Sequence, residues 1–594
     1  MYSSVVSLET QRKGTSPQPI VDDAPSSTVG SNPTIPVAHF LDSMIGGARA
    51  ILFGLRPVSS IATRGLCYPL TEDHAHSLTF LGRHTGRKQL ERLLSAGAIE
   101  ILFDKYINSG LLSSACPIKR VYVNQLAANS PIEDRWNIGL TQVDGVVSSC
   151  LFTVLDGHSG TACVHTLAWA ILDYIAAAFL DTAKLHAAID YWRTHAAEQP
   201  YHLARRLDLL SSTDHRHLGH AARSPSTHLC AHMRGCLKEY VTDLVDRTDR
   251  NMDPVHCFTE AFLRLDDDLC STNRPIDFSV ELGAHLPSSD SMYNRELMRV
   301  ALSGAVGVAG RIFWDNDQKN GTLPTQLHIA SVGDCGAVLL RQTNDMDSPN
   351  PELEAIACAP VHQGWCNEKE LKRVEMEHPD NSLSELFREG GRLLGELAPS
   401  RAFGNVRYKW PANRLLELSS ALNQSSAKRT SDIGRGLQPP KEMSILPNPY
   451  TSPPYLTAQP DVTSFEITPR DRYLVLATDG LWDMLSSGDA SEVMEHELRK
   501  PTSPATRLIW NCLVSVPPEI AGAISQASWN KRAEQQDVDK LPLKENDRKA
   551  FDRALKLLSL PPGVARYYRD DITVMVIELF ERPTSASVET PSHT

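Results

Sequence analysis

Residues 150–160 read CLFTVLDGHSG, and the fold turns on how this stretch is read. Cys150–Leu155 is a continuous apolar run that stops at Asp-Gly, which suits a strand buried on both faces, because a half-solvated strand would alternate. Asp156 then emerges where the strand ends, at a sheet edge. Residues 159–180 follow as a helix, and their apolar part, Thr166–Leu180 (TLAWAILDYIAAAFL), carries Asp173 and is too short to span a bilayer. It reads as a buried helix, and no transmembrane segment is expected.

The pattern of strand and acid recurs along the chain. Leu327–Val332 and Ala337–Arg341 flank Gly333-Asp334-Cys335-Gly336, whose turn chemistry predicts a hairpin. Tyr473–Thr478 and Ile572–Leu579 are rich in β-branched residues and predict two more strands. Acids accompany each: Asp479 and Asp483 in ATDGLWDML, Asp570-Asp571 in RDDITV, and upstream Glu133-Asp134 in PIEDR. Asp-Gly after a strand is a common turn, so each motif alone says little. Several strand ends can nevertheless deliver carboxylates to one point, and hard cations such as Mg²⁺ and Mn²⁺ prefer oxygen ligands and keep bound waters. Two such ions sharing a carboxylate can activate a bridging water and hold phosphoryl oxygens.

The chain has 594 residues, more than one ordinary compact domain needs, with 41% hydrophobic and 22% charged residues. Glycine (34) and proline (38) exclude collagen-like and wholly disordered classes. Lys+Arg 59 against Asp+Glu 71 gives −12, the wrong sign for phosphate-backbone contacts, so no nucleic acid partner is expected. The 12 cysteines form no C-x-x-C pair, which points to a reducing compartment. No GxxxxGK[ST] nucleotide-binding loop and no fixed-period repeat occurs.

The first 40 residues are rich in Ser, Thr, Pro and Asp and predict disorder. From Met44, Arg49, Arg56 and Arg64 precede the first acid, Glu72, the profile of a mitochondrial transit segment with Met44 as the functional start; a surface helix is the alternative. The expected organisation is an extension and transit segment over 1–65, a helical lead-in over 66–114, a main domain over 115–582 and a disordered tail over 583–594. Loop-like insertions are expected near 183–235, 411–456 and 500–548. The first holds His195, His202, His215, His217, His220, His228 and His232 at spacings that fit no compact ligand set, so a solvated insertion is expected there.

Taken in order, DGHSG, SVGDCGAVLL, ATDGLWDML and DDITVMV resemble the protein phosphatase 2C family of metal-dependent Ser/Thr phosphatases. NQLAANSPIEDR, NEKELKRVEMEHP, GRLLGELAPSRAFGNVRYKW and YYRDDITVMVI are similar to its pyruvate dehydrogenase phosphatase branch, and the likeness covers about 115–580. The resemblance implies an α/β sandwich of two central antiparallel β-sheets flanked by helices, with two Mg²⁺ or Mn²⁺ ions at one end. Asp156 would bridge both ions and the Gly157 carbonyl would bind one of them. Asp479 and Asp570 would bind the other, and Glu133 and Asp134 would hold ion-bound waters. A water bridging the ions would attack phosphoserine or phosphothreonine directly, and His158 would be the general acid for the leaving oxygen; capping the following helix is its alternative role. Asp483 would reach a third ion or pair with a neighbouring Arg, and the pairing is favoured.

Asp334 is expected as a turn residue, His362 in a packing or loop role, and Trp410 and Trp482 as core or interface anchors. Four positions depart from the family's usual pattern. Asn129 stands where many members grip phosphate with Arg, and Ala301 where many hold a third-ion Asp. Asn405 follows RAFG in place of Asp, and Val361-His362 replaces DH. The branch implies the phosphorylated pyruvate dehydrogenase alpha subunit as substrate and the mitochondrial matrix as location. It also implies the lipoyl domain of the acetyltransferase core and a regulatory subunit as partners. A family phosphatase with another phosphoprotein substrate, or a non-catalytic pseudophosphatase scaffold, are the rivals.

Overall fold

A computed structural model describes residues 94–579 except 144–145, 195–201, 208–224, 273–275, 277–288, 316–323, 421–444, 500–502, 515–556, 559–564 and a few single positions. The expected extension and transit segment, the tail, and His195, His215, His217 and His220 lie outside the described residues.

In chain order the strands are β1 (Ile99–Leu102), β2 (Ile118–Leu126), β3 (Arg135–Val143), β4 (Val146–His158), β5 (Ala204–Arg206), β6 (Gly304–Phe313), β7 (Gln326–Val332), β8 (Gly336–Gln342), β9 (Leu353–Ala357), β10 (Phe387–Arg388), β11 (Arg392–Leu393), β12 (Phe403–Gly404), β13 (Asp461–Glu466), β14 (Asp471–Ala477) and β15 (Ile572–Leu579). The helices used below are α1 (Phe103–Asn108), α2 (Ala162–Phe179), α3 (Thr182–Thr194), α4 (Thr227–Val245), α5 (Pro254–Leu269), α6 (Ser289–Leu302), α7 (Glu368–Glu377), α8 (Leu383–Leu386), α9 (Asp479–Trp482), α10 (Ser487–Arg499) and α11 (Pro504–Val514).

Two antiparallel sheets form the centre. One is ordered β1-β2-β15-β14-β8-β9 and the other β13-β7-β6-β4-β3-β5, with β12 on β6. Strand alternation explains the unbroken apolar runs. Cys150, Phe152 and Val154 of β4 enter the core between the sheets, where Leu474, Leu476, Met575 and Ile577 of the other sheet meet them. Leu151 and Leu155 point the other way, into a second core with α2, α4 and α5. Val475, Val574 and Val576 likewise face α10 and α11 in a third core. Each central strand is therefore covered on both faces, and both faces must be apolar. The helix–sheet–sheet–helix layering expected from the sequence is present.

Four local expectations are corrected. Leu327–Val332 and Ala337–Arg341 do not pair as a hairpin: β7 pairs with β6 and β13, and β8 pairs with β14 and β9. The Gly333–Cys335 turn crosses from one sheet to the other; Gly333 takes φ +93° and a Cβ there would strike Val306. The 183–235 stretch is more than a solvated insertion, since α3 and the start of α4 fall within it. Leu229, Met233, Leu237, Tyr240 and Leu244 bury one face of α4, a helical spacing that the neighbouring histidines mask. His232 itself is buried against Tyr293 Oη at 2.6 Å, and His202 Nδ1 lies 2.7 Å from Asp173. The 500–548 stretch begins with α11, which buries Ala505, Leu508, Ile509 and Cys512, and the 66–114 lead-in supplies edge strand β1 as well as α1.

The helix expected over 159–180 is present as α2. Ala162–Phe179 is long and apolar enough to cross a membrane, yet 83% of it is buried inside the protein, where α5 and the second sheet cover it.

Candidate active site

The end of β4, the start of β3, the end of β14 and the start of β15 all open at one end of the sandwich, which places Asp156, Asp134, Asp479 and Asp571 near one another. Asp156, Gly157 and His158 are still strand residues, paired with Val306, Ala305 and Gly304. Gly157 has no room for a side chain: a Cβ there would lie 2.6 Å from the Glu133 carbonyl oxygen and 2.5 Å from Val164 Cγ1. The segment carrying Glu133 can therefore lie directly against the backbone of β4.

Asp134 joins the two sheets. Its Oδ2 accepts from Thr478 Oγ1 at 2.9 Å and Thr573 Oγ1 at 2.8 Å, and Thr478 Oγ1 accepts from the Thr573 amide at 3.0 Å. Asp571, which the sequence reading passed over in favour of Asp570, organises the loop before β3. Its carboxylate accepts from the amides of Ala128 (2.5 Å), Asn129 (2.8 Å) and Glu133 (2.8 Å) and from Asn129 Nδ2 (2.8 Å). Asn129, at the position of the missing arginine, is thus committed to Asp571. The signal that separates the two aspartates is register: Asp571 adjoins Ile572, the first paired residue of β15, whereas Asp570 lies one step further out and is half-buried.

The electrostatics are those of crowded acids. Burial pushes the Cys335 thiol far up, and Asp156, Asp334, Asp134 and Asp479 each push it further, so this thiol lies among all four. Burial raises Asp134 well above the carboxylate range, and Asp571 and Asp570 add to that against the threonine hydrogen bonds. Burial also carries Glu133 up to about 7, opposed mainly by Arg566. Glu133 Oε1 accepts from the Gly160 amide at 2.9 Å.

These residues fit hard cations. All the donors are oxygens, the charges of Asp571 and Asp570 add to the raised pKa of Asp134, and Asp134 Oδ1 is buried with no hydrogen-bond partner. Among the described residues no group of three or more His, Cys, Asp and Glu stands ready to enclose an ion. An Mg²⁺-like site needs none, because one or two carboxylates per ion suffice when water supplies the rest.

The remaining candidates divide. Asp483 is exposed, one turn beyond Asp479, whose carbonyl accepts its amide at 2.8 Å. Asp334, expected as a turn residue, is buried, and its carboxylate accepts from Gln363 Nε2. His362 has the packing role expected of it: buried, it accepts the Gly333 amide on Nδ1 at 3.1 Å, and its Nε2 lies 3.2 Å from Asp461. Trp410 is buried under Arg414, and Trp482 donates to the Ala477 carbonyl at 3.1 Å. His158 is buried, its Nε2 2.6 Å from Asn405 Oδ1.

Known proteins share this chain's pattern. The model of the family Protein phosphatase 2C matches residues 285–515. The chain is 30% identical over 488 residues to the mitochondrial pyruvate dehydrogenase (acetyl-transferring) phosphatase 2 of Homo sapiens, covering 77% of this chain and 78% of that protein. It is 29% identical over 464 residues to the mitochondrial pyruvate dehydrogenase (acetyl-transferring) phosphatase 1 of Bos taurus, covering 77% and 76%. A protein phosphatase 2C homolog of Schizosaccharomyces pombe is 31% identical over 274 residues, covering 43% and 50%. The chain whose sandwich end gathers these acids belongs to the protein phosphatase 2C family of Ser/Thr phosphatases.

Proposed function

We propose that this protein removes phosphate from phosphoserine or phosphothreonine on the alpha subunit of pyruvate dehydrogenase, in the mitochondrial matrix, and so reactivates that enzyme. The observation that carries this reading is the 30% identity, over 77% of the chain, to a mitochondrial phosphatase named for that substrate. The lipoyl domain of the acetyltransferase core and a regulatory subunit would be its partners by the same kinship.

Asp156, the Gly157 carbonyl, Asp479 and Asp570 would hold two Mg²⁺ or Mn²⁺ ions, with Glu133 and Asp134 fixing waters around them. When bound, the ions supply charge to the phosphoryl oxygens and a nucleophilic water at neutral pH. The protein's own part is to hold the carboxylates in place through the Thr478–Asp134–Thr573 tie and the Asp571-anchored loop. His158 gives a proton to the leaving serine or threonine oxygen, whose alkoxide would otherwise be a poor leaving group.

The test is phosphate release by metal-stripped full-length protein from phosphorylated pyruvate dehydrogenase and from a generic phosphoserine peptide, with and without Mg²⁺ or Mn²⁺, beside Asp479→Asn. Metal-dependent turnover that favours the dehydrogenase and collapses in the variant is expected. Equal turnover on both substrates would keep the phosphatase and sink its assigned substrate. No turnover by folded protein would favour a scaffold.

A further inference from the structure

We propose that Asn405 is a positioning residue for catalysis: its side-chain carbonyl holds His158 by Nε2, which leaves proton exchange with the substrate to Nδ1. The inference rests on the reading of His158 as general acid. Asn405 Oδ1 lies 2.6 Å from His158 Nε2, and both residues are buried. A carbonyl oxygen can only accept, so in this pairing Nε2 carries the hydrogen and the ring's tautomer and rotation are both set.

The contact is built in from several sides. Asn405 takes φ +54°, a left-handed conformation that Asn tolerates better than most residues. Its amide donates to the Ser303 carbonyl at 3.0 Å, and its own carbonyl accepts from the Tyr408 amide at 2.9 Å. Gly304 faces His158 in the β4–β6 register, and a Cβ there would overlap both Asn405 Oδ1 and His158 Nε2, so the missing side chain is the space in which they meet.

The flanking segment is braced on both sides. Asp266 of α5 accepts from the Gly404 amide at 2.8 Å and from Lys409 Nζ at 2.6 Å. Arg401 is tied to the buried Glu370 of α7. Helices outside the sheets thus brace the segment whose Asn405 side chain hydrogen-bonds His158 Nε2.

The experiment compares full-length wild type, Asn405→Gly, Asn405→Asp and His158→Gln with Mn²⁺ on a phosphoserine peptide and on p-nitrophenyl phosphate. The second substrate's nitrophenolate departs without a proton, so an acid matters little for it. Glycine removes the acceptor yet accepts the left-handed backbone. Asn405→Gly should lower kcat on the peptide about 10- to 100-fold, and at least about tenfold more than on p-nitrophenyl phosphate. Asn405→Asp, which keeps both the acceptor and the backbone preference, should hold the ratio of the two substrates within about threefold of wild type. In the His158→Gln background Asn405→Gly should add less than about twofold.

Equal losses on both substrates would overturn the proposal, because a merely structural defect spares neither. A collapsed ratio in Asn405→Asp would overturn it too, and that variant decides the matter if glycine prevents folding. Full effect of Asn405→Gly without His158 would also refute it. A wild type inert on both substrates would instead bring down the phosphatase reading on which this one stands.

Discussion

Glu133 is half-buried and Glu370 buried, and their carboxyls have moved in opposite directions. Burial raises Glu133 to about 7, with Arg566 as the main opposing charge and Asp571 and Asp570 adding repulsion. Burial would raise Glu370 as well, but Arg401 and Arg373 outweigh it and bring its carboxyl down to about 2. Arg401 Nε and Arg373 Nη2 donate to it at 3.0 and 2.9 Å, and Ser400 Oγ adds a third bond at 2.7 Å. Two arginines hydrogen-bond Glu370, whereas the charge of Arg566 does not offset the burial of Glu133. A cluster of acids whose neighbouring arginines do not offset its burial is costly unless something else brings the charge, and such places are where function concentrates. Glu370 belongs to a brace and Glu133 to a site.

The widest split should come from Asp156→Asn set beside Arg401→Met. Asp156→Asn is expected to lower Mn²⁺-dependent turnover about a thousandfold, about 4 kcal/mol of barrier, while the metal-free melting temperature holds or rises, since one repelling carboxylate has gone. Steady-state kinetics with Mn²⁺ and thermal melts in chelator read the two effects separately. A clear fall in the metal-free melt would place Asp156 with the brace and erase the distinction.

Arg401→Met should do the reverse. It leaves the Glu370 charge buried beside Arg373 alone and should cost about 3 kcal/mol in urea unfolding. The pH dependence has a definite sign. The folded pKa of Glu370 is about 2 against an ordinary 4.5, so its stabilising contribution is complete above about 4.5 and is lost as pH falls through about 2. The urea midpoint of the wild type should therefore fall more steeply than that of Arg401→Met across that acid window. Parallel curves would mean that Arg401 does not hold Glu370 ionised.

The sandwich and the order of its acids could be read from the sequence because β4, β14 and β15 are apolar on both faces and each has a carboxylate at or beside one end. Three things could not be read. Turn chemistry at Gly333–Gly336 is the same whether the next strand pairs back or crosses to another sheet, and the partners β13 of β7 and β14 of β8 lie far downstream in sequence. The burial of α4 was hidden by polar residues on its other face. Asp570 and Asp571 are neighbours of one chemistry, and the loop that folds back onto Asp571, together with its register beside β15, distinguishes the anchor from the candidate ligand. The His158–Asn405 contact spans 247 positions, and the substitution at 405 reads as a local oddity until the two meet.

The smallest expected effect concerns the cation beside Glu133. With Asn129 bound to Asp571, arginine must reach the substrate phosphate from elsewhere. Arg135 is buried and spends Nη1 on the carbonyls of Ile132 and Asp134 at 2.8 and 2.6 Å, and Arg569 spends Nη2 on the Ala127 carbonyl at 2.7 Å. Arg566 is half-buried, lies in the short turn Ala565–Tyr567 ahead of Asp570, and is the charge that most lowers Glu133. Arg566→Gln should raise KM for a phosphoserine peptide and weaken inhibition by inorganic phosphate, each about fivefold, with kcat within about twofold, the scale of about 1 kcal/mol for a partly screened charge–phosphate bond. Unchanged KM and unchanged phosphate inhibition would leave Arg566 as a counter-charge to Glu133 alone. The two glutamates would then differ in how many arginines each receives, rather than in what those arginines are for.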